Sequence, residues 1–394
     1  MQSTKNQSAT SDSASSGLKV DLTQEWWQNF FESGSFLRLS NEQVLLWAGP
    51  FLAHKELINS FENVDISISY MNFFGSKIEL LQTLKPPLQI KSADILTELL
   101  RLRKESEFSN PGQIILEDFT QLKFEDFEKT MQLILGKIQR GEIEKAVPVI
   151  FSRNTKGPLL TDKIDWMISL LQTPTSLNAF GFWNLDVGIM GATPEILFHR
   201  QQGKVSSMAL AGTMPRSEVG QRSSLLKDPK EMHEHQVVVE DLEKQLGKWG
   251  WVKKTGPQIL ELPTLLHLQT LLEVDGVKCE SRDLMMNLHP TPALGVGPRT
   301  YGYHWLANTS DQEGRRVFGA PISFTIPSTE SGFAEEICLV AIRNIQWDQE
   351  GCRVGAGCGV VQESLPQQEW QELQQKLKSV MMMLGINEKK GITS

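Results

Sequence analysis

Residues 181–192 read GFWNLDVGIMGA and residues 146–153 read AVPVIFSR, and these two strand-forming stretches decide what kind of fold the chain can make. A doubly wound sheet needs a helix after nearly every strand. Strands in this chain are not spaced by helices in that regular way, so the pattern predicts an α+β chain and disfavours a doubly wound one. Working outward, FEDFEKTMQLILGKIQR (124–140) carries apolar residues at Phe124, Phe127, Met131, Leu135 and Ile138, a helical period that closes at Gly141. Further helices are predicted around 229–247 and from about Gln367 to Met383. Near the N-terminus, Trp26, Trp27, Phe30 and Phe31 point to an amphipathic helix, and EQVLLWAG (42–49) reads as a strand. No internal repeat of 20–50 residues is visible.

Composition narrows the function classes. The 394 residues are 40% hydrophobic with 30 glycines and 18 prolines, enough for a large buried core. A net charge of −8 argues against a general nucleic-acid binder, which needs a basic face. An acidic protein that binds a small anion must instead place a few cations or a metal locally. No apolar run approaches the ~20 residues that span a bilayer, so no membrane association is expected. Cys279, Cys338, Cys352 and Cys358 form no C-x-x-C pair or zinc spacing and read as reduced, buried thiols of a cytoplasmic protein. Residues 1–17, rich in Ser, Thr and Gln without an apolar core, read as a disordered leader, and 387–394 as a tail.

Two segments stand out chemically. In KDPKEMHEHQVVVEDLEKQL (227–246), Pro229 can open a helix, putting Glu231 and Glu234 on one face a turn apart. In LPQQEWQELQQKLKSV (365–380), Pro366 does the same for Glu369 and Glu372, with Lys376 one turn on. Four carboxylates meeting from two helices repel unless a cation sits between them, and a hard divalent ion such as Mg2+ suits oxygen ligands. The spacing alone equally fits two solvated helix faces. His233 and His235 are two apart, so they point to different faces, and without an H-E-x-x-H pattern they make no zinc site.

The ordered motifs GATPE (191–195), LAGTMPR (210–216), KDPKEMHEH (227–235), LHLQT (266–270), LHPTPA (288–293), AIR (341–343), GAGCGVV (355–361) and EWQELQQK (369–376) carry a resemblance. Over residues 124–384 the chain resembles the chorismate-binding enzymes. That resemblance implies one large α+β domain of two stacked antiparallel sheets with outer helices, in which 18–117 completes the sheets and 118–386 forms the catalytic region. It implies metal carboxylates at Glu234 and Glu372, supported through water by Glu231 and Glu369, with Mg2+ as cofactor. It implies that Arg343 and Lys376 face a substrate carboxylate, that Gly355 and Gly357 let backbone N–H groups approach the anion, and that Thr213 and His267 lie near the ring and its hydroxyl. His289 matches a motif with a structural role.

The branches of the family differ in nucleophile. GEIEK (141–145) ends in Lys145, where similarity to the water-adding branch, the isochorismate synthases, implies a general base. Glu195 is then the implied acid that protonates the departing hydroxyl. Salicylate synthases share the lysine and the metal but go on to eliminate pyruvate. Ala211 stands where aminodeoxychorismate synthases carry a lysine, which disfavours that branch. An aminating subunit dependent on a glutaminase is the other alternative, but no such partner is expected, and a monomer acting on chorismate is. The chain departs from the family in KAVPVIFSR after the lysine, in Phe318 for a tyrosine, and in Ala320 and Ser323 for glycines.

Overall fold

The computed structural model describes residues 22–39, 43–53, 66–83, 85–106, 114–216, 222–309, 312–326 and 334–386. The expected leader and tail lie outside the described residues. The chain opens with α1 (Gln24–Glu32), β1 (Gly34–Arg38), β2 (Gln43–Ala48), β3 (Phe51–Ala53), β4 (Ile66–Met71), β5 (Ile78–Thr83), β6 (Leu88–Lys91) and α2 (Ser92–Ser106). It continues with α3 (Phe124–Gln139), β7 (Lys145–Ala146), β8 (Val149–Asn154), α4 (Leu160–Leu171), β9 (Asn178–Trp183), β10 (Gly188–Thr193), β11 (Ile196–Gln201) and β12 (Lys204–Pro215). Then come α5 (Arg222–Leu225), α6 (Pro229–Leu246), β13 (Lys253–Glu261), β14 (Leu265–Val274), α7 (Ser281–Leu288) and β15 (Val296–Gly297). Last are β16 (Pro321–Ile326), β17 (Glu335–Val340), β18 (Asn344–Asp348), β19 (Gly351–Gly357) and α8 (Pro366–Met383).

Two antiparallel sheets stack. One has the order β6-β2-β1-β9-β10-β18-β19-β8 and the other β13-β14-β12-β11-β17-β16-β4-β5-β3. Side-chain alternation explains why EQVLLWAG is apolar throughout. Leu45 and Trp47 point between the sheets, meeting Phe180, Phe182, Ile322 and Phe324, while Val44 and Leu46 point to the opposite face, under the helices. Both faces are covered, so both registers must be apolar. Trp47 packs on Phe324 with centroids 5.9 Å apart, and Tyr70 on Phe182 at 4.7 Å. Each such buried side chain is worth roughly 1.5–3 kcal/mol.

The helices complete the outer layers. Trp27 and Phe30 of α1, Met131 of α3, and Trp370 and Leu373 of α8 cover the first sheet. Val238, Leu242 and Leu246 of α6 cover the second. The buried stripe of α3 is Phe127, Thr130, Met131, Ile134 and Ile138, rotated slightly from the expected one. Arg38 closes the C-terminal end of α4 and the turn after it, donating to the carbonyls of Leu171, Thr173, Pro174 and Leu177.

AVPVIFSR is not one strand. Lys145–Ala146 pairs with β15 in a separate two-stranded sheet, and only from Val149 does the chain join the edge of the first sheet beside β19. Pro148, with no N–H to give a ladder, stands at the break. All four cysteines are free, three of them buried. Among the described residues no helix is long and apolar enough to cross a membrane.

Candidate active site

Helix α6 starts where the sequence predicts. Pro229 occupies its first turn, and the Asp228 side chain accepts from Glu231 N at 3.0 Å. Helix α8 starts at Pro366 without a side-chain cap. The first two turns of both helices carry their glutamates to, or beside, a partly enclosed pocket. The pocket is lined by Glu195, Thr213, Glu234, His267, Arg343, Gly355, Gly357 and Lys376, together with Phe318, Leu294, Ile342 and Gly359. Eight of the twelve sequence-predicted site residues therefore share one wall. The other four, Lys145, Glu231, Glu369 and Glu372, stand behind or beside it.

Arg343 occupies the reversal between β17 and β18 with φ of 52°, a left-handed conformation costing a non-glycine residue roughly 1–2 kcal/mol. Gly191 of GATPE makes room for it, since a Cβ there would lie 2.6 Å from the Arg343 carbonyl oxygen. Two motifs 150 residues apart thus fit one another through backbone, and Ala192 N donates to that same carbonyl at 3.2 Å. The guanidinium is buried, which lowers its pKa to about 10, with Glu372 and Glu195 acting in the opposite sense. Its Nη2 donates to His267 Nε2 at 3.0 Å, and His267 Nδ1 meets Thr213 Oγ1 at 3.1 Å. Burial, then Arg343 and Lys376, hold His267 well below its ordinary pKa, so a neutral imidazole accepts from the arginine and donates to the threonine side. His267 aligns Arg343 as well as lining the pocket.

Glu195, at the start of β11, is 4% exposed. Burial raises its carboxyl to about 8, against the opposing pull of Lys145, Lys376 and Arg343. It is a carboxylic acid kept protonated at neutral pH while facing a pocket that attracts anions.

Lys145 is fully buried, and its placement differs from the expected one. Its Nζ donates to Glu234 Oε1 at 2.9 Å, so its hydrogen-bonded partner is a candidate metal ligand, while Glu195 feels only its charge. Lys376 Nζ bonds Glu372 Oε1 at 2.5 Å and the Gly357 carbonyl at 2.9 Å. Lys230 Nζ bonds Glu369 Oε1 at 2.7 Å and lies 3.3 Å from Glu231 Oε1. The expected cage of four carboxylates is therefore laced with three lysines. Among the described residues no three acidic, histidine or cysteine side chains converge so that they could hold a metal ion.

The donor set nonetheless fits a hard cation. Glu369 is 1% exposed, and its Oε2 is buried without a well-formed hydrogen bond, eased in part by the Ser364 hydroxyl. Burial and then Glu234 raise Glu231 to about 7; burial and then Glu372 raise Glu369. Such mutually destabilised carboxylates with a spare buried oxygen suit a divalent ion.

Gly355 and Gly357 lie within β19 rather than in a turn. A Cβ at 355 would meet Phe151 at 2.5 Å, so tight packing excludes one there, and one at 357 would press on Val147 at 3.1 Å. Sequence reasoning missed Gly359 and Lys230. A Cβ at 359 would overlap Glu234 Oε1 and lie 2.9 Å from Lys145 Cε. Its signal was present as the third glycine of GAGCG. His235 is a core residue, lowered to about 4 by burial and held between the Ala211 carbonyl and Thr270 Oγ1. His289 is likewise buried, with Nε2 donating to the Phe73 carbonyl at 2.8 Å.

Two partly buried cations, Arg343 and Lys376, beside a carboxylic acid kept neutral suit an enzyme that binds a small anion and hands it a proton. The sequence places this enzyme: residues 59–385 match the family of chorismate binding enzymes, and the chain belongs to it. The match reaches well upstream of the motif-bearing region. The chain is 29% identical over 276 residues to the vibriobactin-specific isochorismate synthase of Vibrio cholerae, covering 66% of this chain and 67% of that one. It is 29% identical over 386 residues to the isochorismate synthase MenF of Bacillus subtilis, covering 94% and 74%. Its fold matches the menaquinone-specific isochorismate synthase MenF of Escherichia coli with a TM-score of 0.69 at 19% identity, over 89% of this chain and 88% of that one.

Proposed function

We propose that this enzyme is a Mg2+-dependent isochorismate synthase. Water adds at C2 of the chorismate ring, the ring double bonds shift, and the C4 hydroxyl leaves as water, so that one water enters, one departs and the product is an isomer of the substrate. The product serves menaquinone or siderophore assembly; the similar proteins include a menaquinone-specific and a vibriobactin-specific isochorismate synthase. The observation that carries the reading is Glu195: an enclosed acid, protonated up to about pH 8, in a pocket that also presents Arg343 and Lys376.

The roles follow from chemistry. The substrate is a dianion, and Arg343 offers one of its carboxylates a planar fork of donors. Lys376 adds a second positive charge on the same wall. Glu195 donates its proton to the departing C4 hydroxyl, which is a poor leaving group as hydroxide. Lys145 is the candidate base: released from Glu234 and having first given up a proton of its own ammonium, its neutral amine takes the proton from the attacking water. Thr213 and His267 position the ring hydroxyl and the arginine. Glu234 and Glu372, with Glu231 and Glu369 in support, would hold Mg2+, which when bound would supply positive charge to balance the ring carboxylate. Phe318 keeps the wall apolar where the family has a tyrosine.

The deciding experiment is incubation with chorismate and Mg2+ in oxygen-18 water, without ammonia or a second protein, followed by chromatography and mass spectrometry. An isomer of chorismate carrying one heavy oxygen is expected. Salicylate with pyruvate, or turnover only with ammonia, would replace this reading with the pyruvate-eliminating or the aminating one.

A further inference from the structure

The geometry points to Lys230 as an internal counter-cation that occupies the acidic gap between α6 and α8 and must be displaced for a divalent ion to enter; this rests on the magnesium reading above. Lys230 Nζ holds Glu369 Oε1 at 2.7 Å and lies 3.3 Å from Glu231 Oε1, so one ammonium bridges carboxylates from the two helices. It retains 21% side-chain exposure, whereas Glu369 retains 1%. The lysine therefore has a path out to solvent, and the glutamate has none. Glu369 Oε2, buried without a well-formed hydrogen bond, is an acceptor that a single ammonium leaves unused. A divalent ion with several open coordination positions satisfies both carboxylates and that spare oxygen, which one lysine cannot.

The consequence is competition. Without the lysine, Glu231 and Glu369 are buried like charges with no cation between them, a costly arrangement that a metal relieves. With it, the metal-free protein stays folded with its acidic site neutralised, and metal affinity is held down. The lysine in PKEMHE is a poised occupant of the site, distinct from Lys145 and Lys376 on the pocket side.

Isothermal calorimetry with MgCl2 on the full chain and on Lys230→Met tests this, beside thermal melts with and without Mg2+. The expected result is Mg2+ binding on the order of tenfold tighter in the variant, a lower metal-free Tm, and a larger rise in Tm on adding Mg2+ than the parent shows. Equal or weaker binding in the variant overturns the proposal while leaving the magnesium reading standing. Absence of Mg2+ binding in both proteins overturns the two together. Should Lys230→Met not fold, crystal structures of the parent chain with and without Mn2+ decide. Lys230 is expected to leave Glu369 when the metal enters, and a lysine still paired there in the metal-loaded protein overturns the inference.

Discussion

Glu195 makes the sharpest claim at the scale of single residues. Its carboxyl is raised from 4.5 to about 8 by burial, so the protonated, proton-donating form prevails below that pH. Turnover is therefore expected to hold through neutrality and to fall as pH rises through about 8. The sign for stability is the same. Between 4.5 and about 8 the unfolded chain gives up a proton that the folded chain keeps, so this group costs stability as pH increases. Glu195→Gln replaces a neutral acid with a neutral amide of similar shape; the fold is expected to persist, with kcat lowered about 10²–10⁴-fold and the Glu195 contribution to the alkaline limb lost. A pH–rate profile of the variant that keeps an unchanged limb at near-parental kcat would remove Glu195 as the acid. Lys145→Ala is expected to abolish water addition while chorismate still binds, checked by equilibrium binding beside turnover; parental turnover would mean another base. Gly359→Ala adds a methyl group against both Glu234 and Lys145. Displacing that pair is expected to lower kcat at least about tenfold, in line with the sensitivity of chemistry to small misplacements, with little change in the far-ultraviolet spectrum. The methyl is too small to block the pocket, so an undiminished kcat would show that the Lys145–Glu234 alignment does not matter.

At the scale of elements, the two glutamate helices were legible because proline and i, i+3 spacing are local signals. Pro229 and Pro366 open α6 and α8 as the sequence predicts. What the helices do to each other was not legible. Lys145 and Glu234 are 89 residues apart and meet only because β7 is pulled out of the main sheet into its own pairing with β15. The lysines interleaved with the carboxylates follow from that packing, which no spacing rule reports. The left-handed Arg343 was likewise hidden, since the space its carbonyl occupies is left free by Gly191 across the sheet. One prediction belongs here. Glu234→Gln and Glu372→Gln, each removing one charge from one helix, are expected to shift the Mg2+ concentration for half-maximal activity upward by tenfold or more, the order seen when a metal's surroundings are altered. Calorimetric Mg2+ binding should weaken in parallel. Titrations of both variants that overlay the parental one would free these two residues from the metal.

At the scale of the whole molecule, the class of fold was readable and its interleaving was not. The irregular spacing of strands disfavoured a doubly wound sheet, but it gave no reason to place the N-terminal strands together at one end of each sheet. Strand β1 lies between β2 and β9, with Gly34 opposite Trp183 and Leu37 opposite Phe180, and β4 pairs with β16 in the other sheet. Trp183 donates to the Phe30 carbonyl and packs against Phe30 with centroids 5.1 Å apart. The motif-bearing region is therefore not expected to fold alone. Without residues 18–117, β9 loses one ladder partner and β16 another. Trp183, Phe180 and Phe324, buried in the intact chain, then face water. Exposed, unpaired strand edges and a wide apolar face favour aggregation. Expression of residues 118–386 alone is expected to give insoluble protein or a species without a cooperative melt, and mixing with a separately made 18–117 fragment is expected to recover ordered structure only in part. A soluble 118–386 fragment with a sharp thermal transition and chorismate turnover would mean that the first hundred residues are a cover on the sheets rather than part of them.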